Sequence, residues 1–96
     1  MNKYMLLHVG FVPPTPEIGA AWMAWFEQIA DNIVDSGNPF GPGREITSDG
    51  TTDLPLDVDA YTGYTIISAA DFDEATAIAA TCASITGIRV YPAMAM

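Results

Sequence analysis

The chain carries one cysteine, Cys82, and one histidine, His8. A lone thiol makes no disulfide within the chain and no zinc cluster of thiolates, which excludes the disulfide-stapled small domains and fits a reducing cytoplasm. Cations are nearly as scarce: Lys3, Arg44 and Arg89 stand against twelve acids, for a formal net charge of −9. Phosphate backbones and anionic lipid surfaces attract dense basic patches, so neither nucleic acid nor a membrane surface is an expected partner. No apolar run approaches the roughly 18 residues of a membrane span. The apolar stretch 5–12 is short, contains His8 and Gly10 and runs into Pro13-Pro14, so it reads as a strand rather than a secretion signal. Ninety-six residues also leave no room for a second core, and residues 1–96 read as a single domain.

What the chain does have is apolar residues, 50% of the total, with only 16% charged. A usual charged share is about 25%, and a domain this small buries only about 60–65% of its unfolded surface. The excess favours a second subunit.

Residues 3–12 form the first expected strand, with Tyr4, Leu6, His8 and Gly10 on one face and Met5, Leu7, Val9 and Phe11 on the other, taken as the core face. Thr15-Pro16-Glu17 is a helix start, with a capping hydroxyl, a proline at the first position and an acid at the positive end of the dipole. Ile18, Trp22, Trp25, Phe26, Ile29 and Ile33 recur at helical spacing over about five turns, until Asp35, Gly37 and Pro39 stop the helix. Residues 40–48 read as an irregular entry into a second strand, and 49–60 as an acidic, turn-rich connection. Residues 61–69 are β-branched and aromatic, a third strand. Asp71 and Glu74 make a capping pair before a second helix with Ala75, Ile78, Ala79 and Cys82 as its stripe. Gly87 closes it, and residues 88–91 alternate as a fourth strand.

The order β-α-β-β-α-β is that of an α+β, ferredoxin-like domain: an antiparallel four-stranded sheet with two helices on one face. If Ile88 and Val90 face the helices, Arg89 and Tyr91 lie on the uncovered face, where the first-strand phase also puts Tyr4, Leu6 and His8. Exposed Leu and Tyr there favour a homodimer.

His8 is the one side chain whose unperturbed pKa lies near neutrality, the natural acid or base. Beside it, Arg89 could clamp a ligand carboxylate, with Tyr91 and Tyr4 adding contacts. Equally, these residues could simply pack a dimer interface. Asp35 is either a carboxylate orienting a base or a solvated helix end. Arg44, next to Gly41 and Gly43, could meet an anion, yet Gly41-Pro42-Gly43 matches neither the phosphate loop nor the dinucleotide fingerprint, and no cofactor is expected. Trp22, Trp25 and Phe26 read as core, or as a wall for an aromatic ligand. Asp49, Asp53, Asp57 and Asp59 miss the EF-hand spacing, so no metal is expected. Ser36, Ser48, Ser68 and Ser84 lie outside any G-x-S-x-G context.

The spelling adds to the periodicity. Lys3-Tyr4-Met5-Leu6-Leu7, Asp49-Gly50-Thr51, Gly63-Tyr64-Thr65-Ile66-Ile67, Asp71-Phe72-Asp73-Glu74-Ala75 and Ile88-Arg89-Val90-Tyr91-Pro92 resemble, in order and over almost the whole chain, the YCII-related (DGPF-domain) family. The resemblance implies a ferredoxin-like fold paired into a dimeric α/β barrel with a small-molecule cleft. A few relatives are dehalogenating or other small-molecule enzymes, in which a histidine and an aspartate are the proposed catalytic pair. The aspartate matches Asp35. The histidine has no counterpart on the first helix, and Asp-Gly-Pro-Phe is reduced here to Asp49-Gly50-Thr51-Thr52. Two functions follow as expectations: acid/base chemistry on a small aromatic or carboxylate compound, with His8 and Asp35 catalytic and Arg89, Tyr91, Arg44 and Tyr4 binding, or a non-catalytic ligand-binding or regulatory dimer.

Overall fold

A computed structural model describes residues 1–82 and 87–94; Ser84 lies outside them. β1 (Asn2–Val9) pairs antiparallel with β5 (Tyr61–Ala69) on one side and β6 (Ile88–Ala93) on the other. β2 (Ile33–Asp35) adds to the far edge of β5, giving the sheet order β2-β5-β1-β6. Helices α1 (Pro16–Gln28) and α2 (Phe72–Ala80) pack on one face, so the ferredoxin-like α+β fold is observed. Both helix starts form as their residues dictate: Thr15 Oγ1 accepts from the Ile18 amide at 3.2 Å and Asp71 Oδ1 from the Glu74 amide at 2.8 Å. Among the described residues no helix is long and apolar enough to cross a membrane.

The two helices sit at different heights because of what they bury. α2 lays Ala75 and Ala79 on the sheet and comes close to β5 and β6, whereas α1 stands off on Trp22, Trp25 and Phe26. Trp25 is fully enclosed, and its indole N–H reaches Thr81 Oγ1 at 3.0 Å, tying α1 to the end of α2. A buried indole needs such a partner.

Three expectations change. The first helix ends at Gln28, not after Ile33; a single 3-10 turn (Ala30–Asn32) follows, and β-branched Ile33 and Val34 extend into β2. Asn32 fixes this break, its side-chain amide donating to the Ser68 carbonyl at 2.9 Å. Residues 43–54 are not a sheet strand and a loop but a hairpin, β3 (Gly43–Thr47) and β4 (Gly50–Leu54), inserted between β2 and β5. Ser48-Asp49 is the turn, and Gly50, the first residue of β4, has φ +135°.

The third change is the phase of β1. Tyr4, Leu6 and His8 face the helices and are buried, while Met5, Leu7 and Val9 lie half-buried on the open face. Neighbours across an antiparallel ladder point the same way, and Leu6 sits opposite Val90 and Thr65, Tyr4 opposite Ile67. Apolar residues on both sides of β1 leave its own alternation undecided. Lys3, which shares the parity of Met5 and Leu7, is the clue that theirs is the outer face.

Candidate functional site

Because α1 stands off the sheet, a cleft of about 600 Å³ remains between them. That is within the usual range for a small-molecule site. Its sheet side carries His8, Gly63 and Thr65, and its helix side Ile18, Trp22 and Phe26; the segment 36–40 and Phe11 line it further. The segment 36–40 is held along β5 by Phe40 N–H to the Thr62 carbonyl, 2.8 Å, and by the Pro39–Gly63 bridge. Glycine at 63 makes room: a Cβ there would meet the Asn38 carbonyl at 3.2 Å and the His8 ring at 3.6 Å. A bulge at Thr62, whose hydroxyl proton is shared between the His8 and Gly10 carbonyls, interrupts the β1–β5 ladder beside the cleft before its last pair, Val9 with Tyr61.

His8 is 6% exposed, with Trp22 edge-on at 4.6 Å and Trp25 at 5.9 Å between ring centroids. Its Nε2 lies 3.0 Å from Thr65 Oγ1, and the Thr65 hydroxyl donates to the Ser36 carbonyl at 3.1 Å. Burial among these rings pushes the imidazole pKa down from 6.5 to about 4, so His8 is neutral at pH 7. Among the described residues Glu17 is the only aspartate, glutamate, lysine or arginine in the lining.

The expected constellation is divided. Arg89 and Tyr91 are exposed on the open face, opposite Leu7 and Met5 in register, so the sheet itself separates them from His8. The shared face expected for all three therefore does not exist. Arg89 donates to the Tyr61 hydroxyl at 3.1 Å and stacks on that ring at 5.7 Å. Tyr91 first, then Tyr61, push its guanidinium still further toward the charged form. Tyr4 is a buried core residue beside Phe72, not a residue of the open face. Arg44 lies out on the hairpin, 3.4 Å from Asp53, both heavily exposed. Asp35 ends β2, not a helix, and its carboxylate accepts from the Gly37 amide at 2.8 Å. Among the described residues no group of three or more His, Cys, Asp or Glu is placed to hold a metal ion.

Thr65, Ser36 and Gly63 are not among the site residues expected from the sequence. A threonine and a glycine at buried parity inside an otherwise apolar strand are the signals that mark them: one needs a polar partner, the other a close neighbour. No protein-family model matches the chain, and no curated protein matches it.

Proposed function

We propose that this protein binds a small, largely apolar aromatic molecule in the cleft between α1 and the sheet, without turning it over. The observation that carries this reading is the cleft itself: about 600 Å³, walled by aromatic rings, with one neutral imidazole at its sheet side. A carboxylate ligand is disfavoured because, among the described residues, no lysine or arginine lines the cleft and Glu17 does. Binding is favoured over acid/base catalysis because a base with a pKa about 4 is a poor proton acceptor at neutral pH, and a catalytic base works best near the operating pH.

The same reading makes the protein a cytoplasmic homodimer joined through the open sheet face and a member of the YCII-related family, on the residues quoted above. The lone Cys82 and the apolar character of Met5, Leu7 and Ile66 on that face support the first two.

The test is titration with naphthalene followed by tryptophan fluorescence, in the parent protein and in Ala21→Trp, whose new side chain would fill the cleft that Ala21 lines. Saturable quenching lost in Ala21→Trp is the expected result. Quenching that survives Ala21→Trp places the site elsewhere, and conversion of an aromatic substrate on long incubation would replace binding by catalysis.

A further inference from the structure

The charges around the cleft have one sign. All three cations of the chain lie elsewhere: Lys3 and Arg89 on the open face, and Arg44 out on the hairpin beside Asp53. Glu17, in the first turn of α1, is exposed and lines the cleft. His8 on the sheet side is neutral at pH 7, so no positive group in the lining offsets that carboxylate, and the chain as a whole carries −9. A helix start would ordinarily draw an anion, but the amides of this one are occupied. Pro16 has no N–H, the Ile18 N–H goes to Thr15 Oγ1 at 3.2 Å, and the Gly19 N–H goes to the Thr15 carbonyl at 3.0 Å.

The aromatic rings are a second, independent observation. Trp22 and Phe26 reach the cleft from α1, with centroids 5.8 Å apart and planes at 35°. Phe11 comes from the segment after β1, and Phe40, stacked on Tyr64 at 5.7 Å, from the segment 36–40. Each of the four lining rings is half-buried or exposed, so each keeps surface that a ligand can touch. Rings carry negative charge on their faces, and groups of them hold cations whose charge is spread out and weakly hydrated. A compact ammonium or a metal ion does not fit. One exposed carboxylate is too little to replace its water, and no three His, Cys, Asp or Glu are grouped among the described residues.

We infer that the cleft selects an aromatic molecule bearing a diffuse positive charge, an N-alkylated azaarene or an aryl quaternary ammonium, held among Trp22, Phe26, Phe11 and Phe40 and drawn in by Glu17. This assignment rests on the binding reading above and narrows it to one ligand chemistry.

Two probes of one shape isolate the charge: N-methylquinolinium and 1-methylnaphthalene, which differ by a positive nitrogen in place of a ring carbon. Calorimetry at low salt should show the cation bound about fivefold more tightly, in the range of a single partly desolvated cation–π contact. That preference should fall about twofold or more in Glu17→Gln, and likewise in the parent at about 0.5 M salt, where exposed charges are screened. Phe11→Leu should lower it too, because leucine fills space without a ring. Glu17 and Phe11 are both exposed, and the unfolding midpoint of each variant checks that the fold is kept. Equal or tighter binding of 1-methylnaphthalene overturns the inference and leaves the binding reading standing. Cation binding that persists in Ala21→Trp overturns it as well. So does a preference unmoved by Glu17→Gln and Phe11→Leu, since the net charge of the chain and not the cleft would then attract the probe. Binding of neither probe overturns the binding reading, and this one with it.

Discussion

His8 is a histidine kept neutral by its surroundings, and that has a consequence for stability. In the unfolded chain it titrates at about 6.5, in the folded protein at about 4, so protons bind preferentially to the unfolded state between these values. Stability contributed by the neutral ring is complete above pH 6.5 and is lost as pH falls toward 4, by about 2–3 kcal/mol. Glu17 from α1 and Tyr64 from β5 are the other titratable groups lining the cleft, and among the described residues the one ion pair, Arg44 with Asp53, does not involve His8. Melting curves of the parent and of His8→Phe between pH 7.5 and 4.5 should show the acid loss smaller in the variant; parallel losses would refute the burial argument. Two glycines give a second residue-level contrast. Gly37 has φ +79°, and a Cβ there would land on the Tyr64 carbonyl; Gly50 has φ +135° with open space around it. Gly37→Ala should therefore cost about 3 kcal/mol or more, and Gly50→Ala about 1–2 kcal/mol. Denaturant midpoints read both, and equal costs would show that the steric clash at Gly37 is relieved by movement of β2.

The elements differ in how far their residues announce them. Helix starts were legible because Thr15-Pro16 and Asp71 with Glu74 act through short, local hydrogen bonds. The strands β5, β1 and β6 were legible in kind but not in phase, since Tyr4-Leu6 and Met5-Leu7 are equally apolar and Lys3 alone marks the outer face. The observed phase moved His8 from the open face into the cleft, and with it the whole candidate site. β2 was hidden because Ile33 continues the helical spacing of Ile29, and three residues are too few to show a period of two. The hairpin β3–β4 was hidden for the opposite reason: Asp49-Gly50 is a strong turn signal, but its strands are polar and bury nothing. Every residue of β3 and β4 is exposed, and the two strands pair essentially with each other. An isolated two-stranded hairpin is marginal in water and lends nothing to a core it does not touch. Replacing residues 43–54 by a short Gly/Ser loop should change the stability of the monomer by less than about 0.5 kcal/mol. A large loss that grows on dilution would show that the hairpin packs against a second copy.

The molecule as a whole is thin. Its extents are 41 × 40 × 18 Å, and the short axis is that of one helix layer on one sheet. Its radius of gyration of 14.3 Å exceeds the 12–13 Å or about that expected of 96 compact residues, in keeping with a hairpin that projects from the domain. A two-layer domain leaves one sheet face to solvent, and here that face carries Met5, Leu7, Val9, Ile66 and Tyr91, with Tyr64 at its border with the cleft. Soluble monomers rarely expose a contiguous apolar patch of this kind. Pairing two such faces about a two-fold axis would bury them, and it would leave the clefts outside, under α1 on either side of the dimer. Ligand binding and dimerisation should then be separable. Leu7→Glu places a charge on the open face, away from the helix-side core, so it should give a folded monomer in sedimentation experiments at concentrations where the parent is a dimer. The parent's melting temperature should rise with protein concentration and the variant's should not. Naphthalene quenching of tryptophan should survive in the monomer, because His8, Trp22 and Phe26 line the cleft on the helix side of the sheet, across it from Leu7. A Leu7→Glu protein that stays dimeric moves the interface to another surface; one that turns monomeric and loses the quenching shows that the second subunit shapes the cleft.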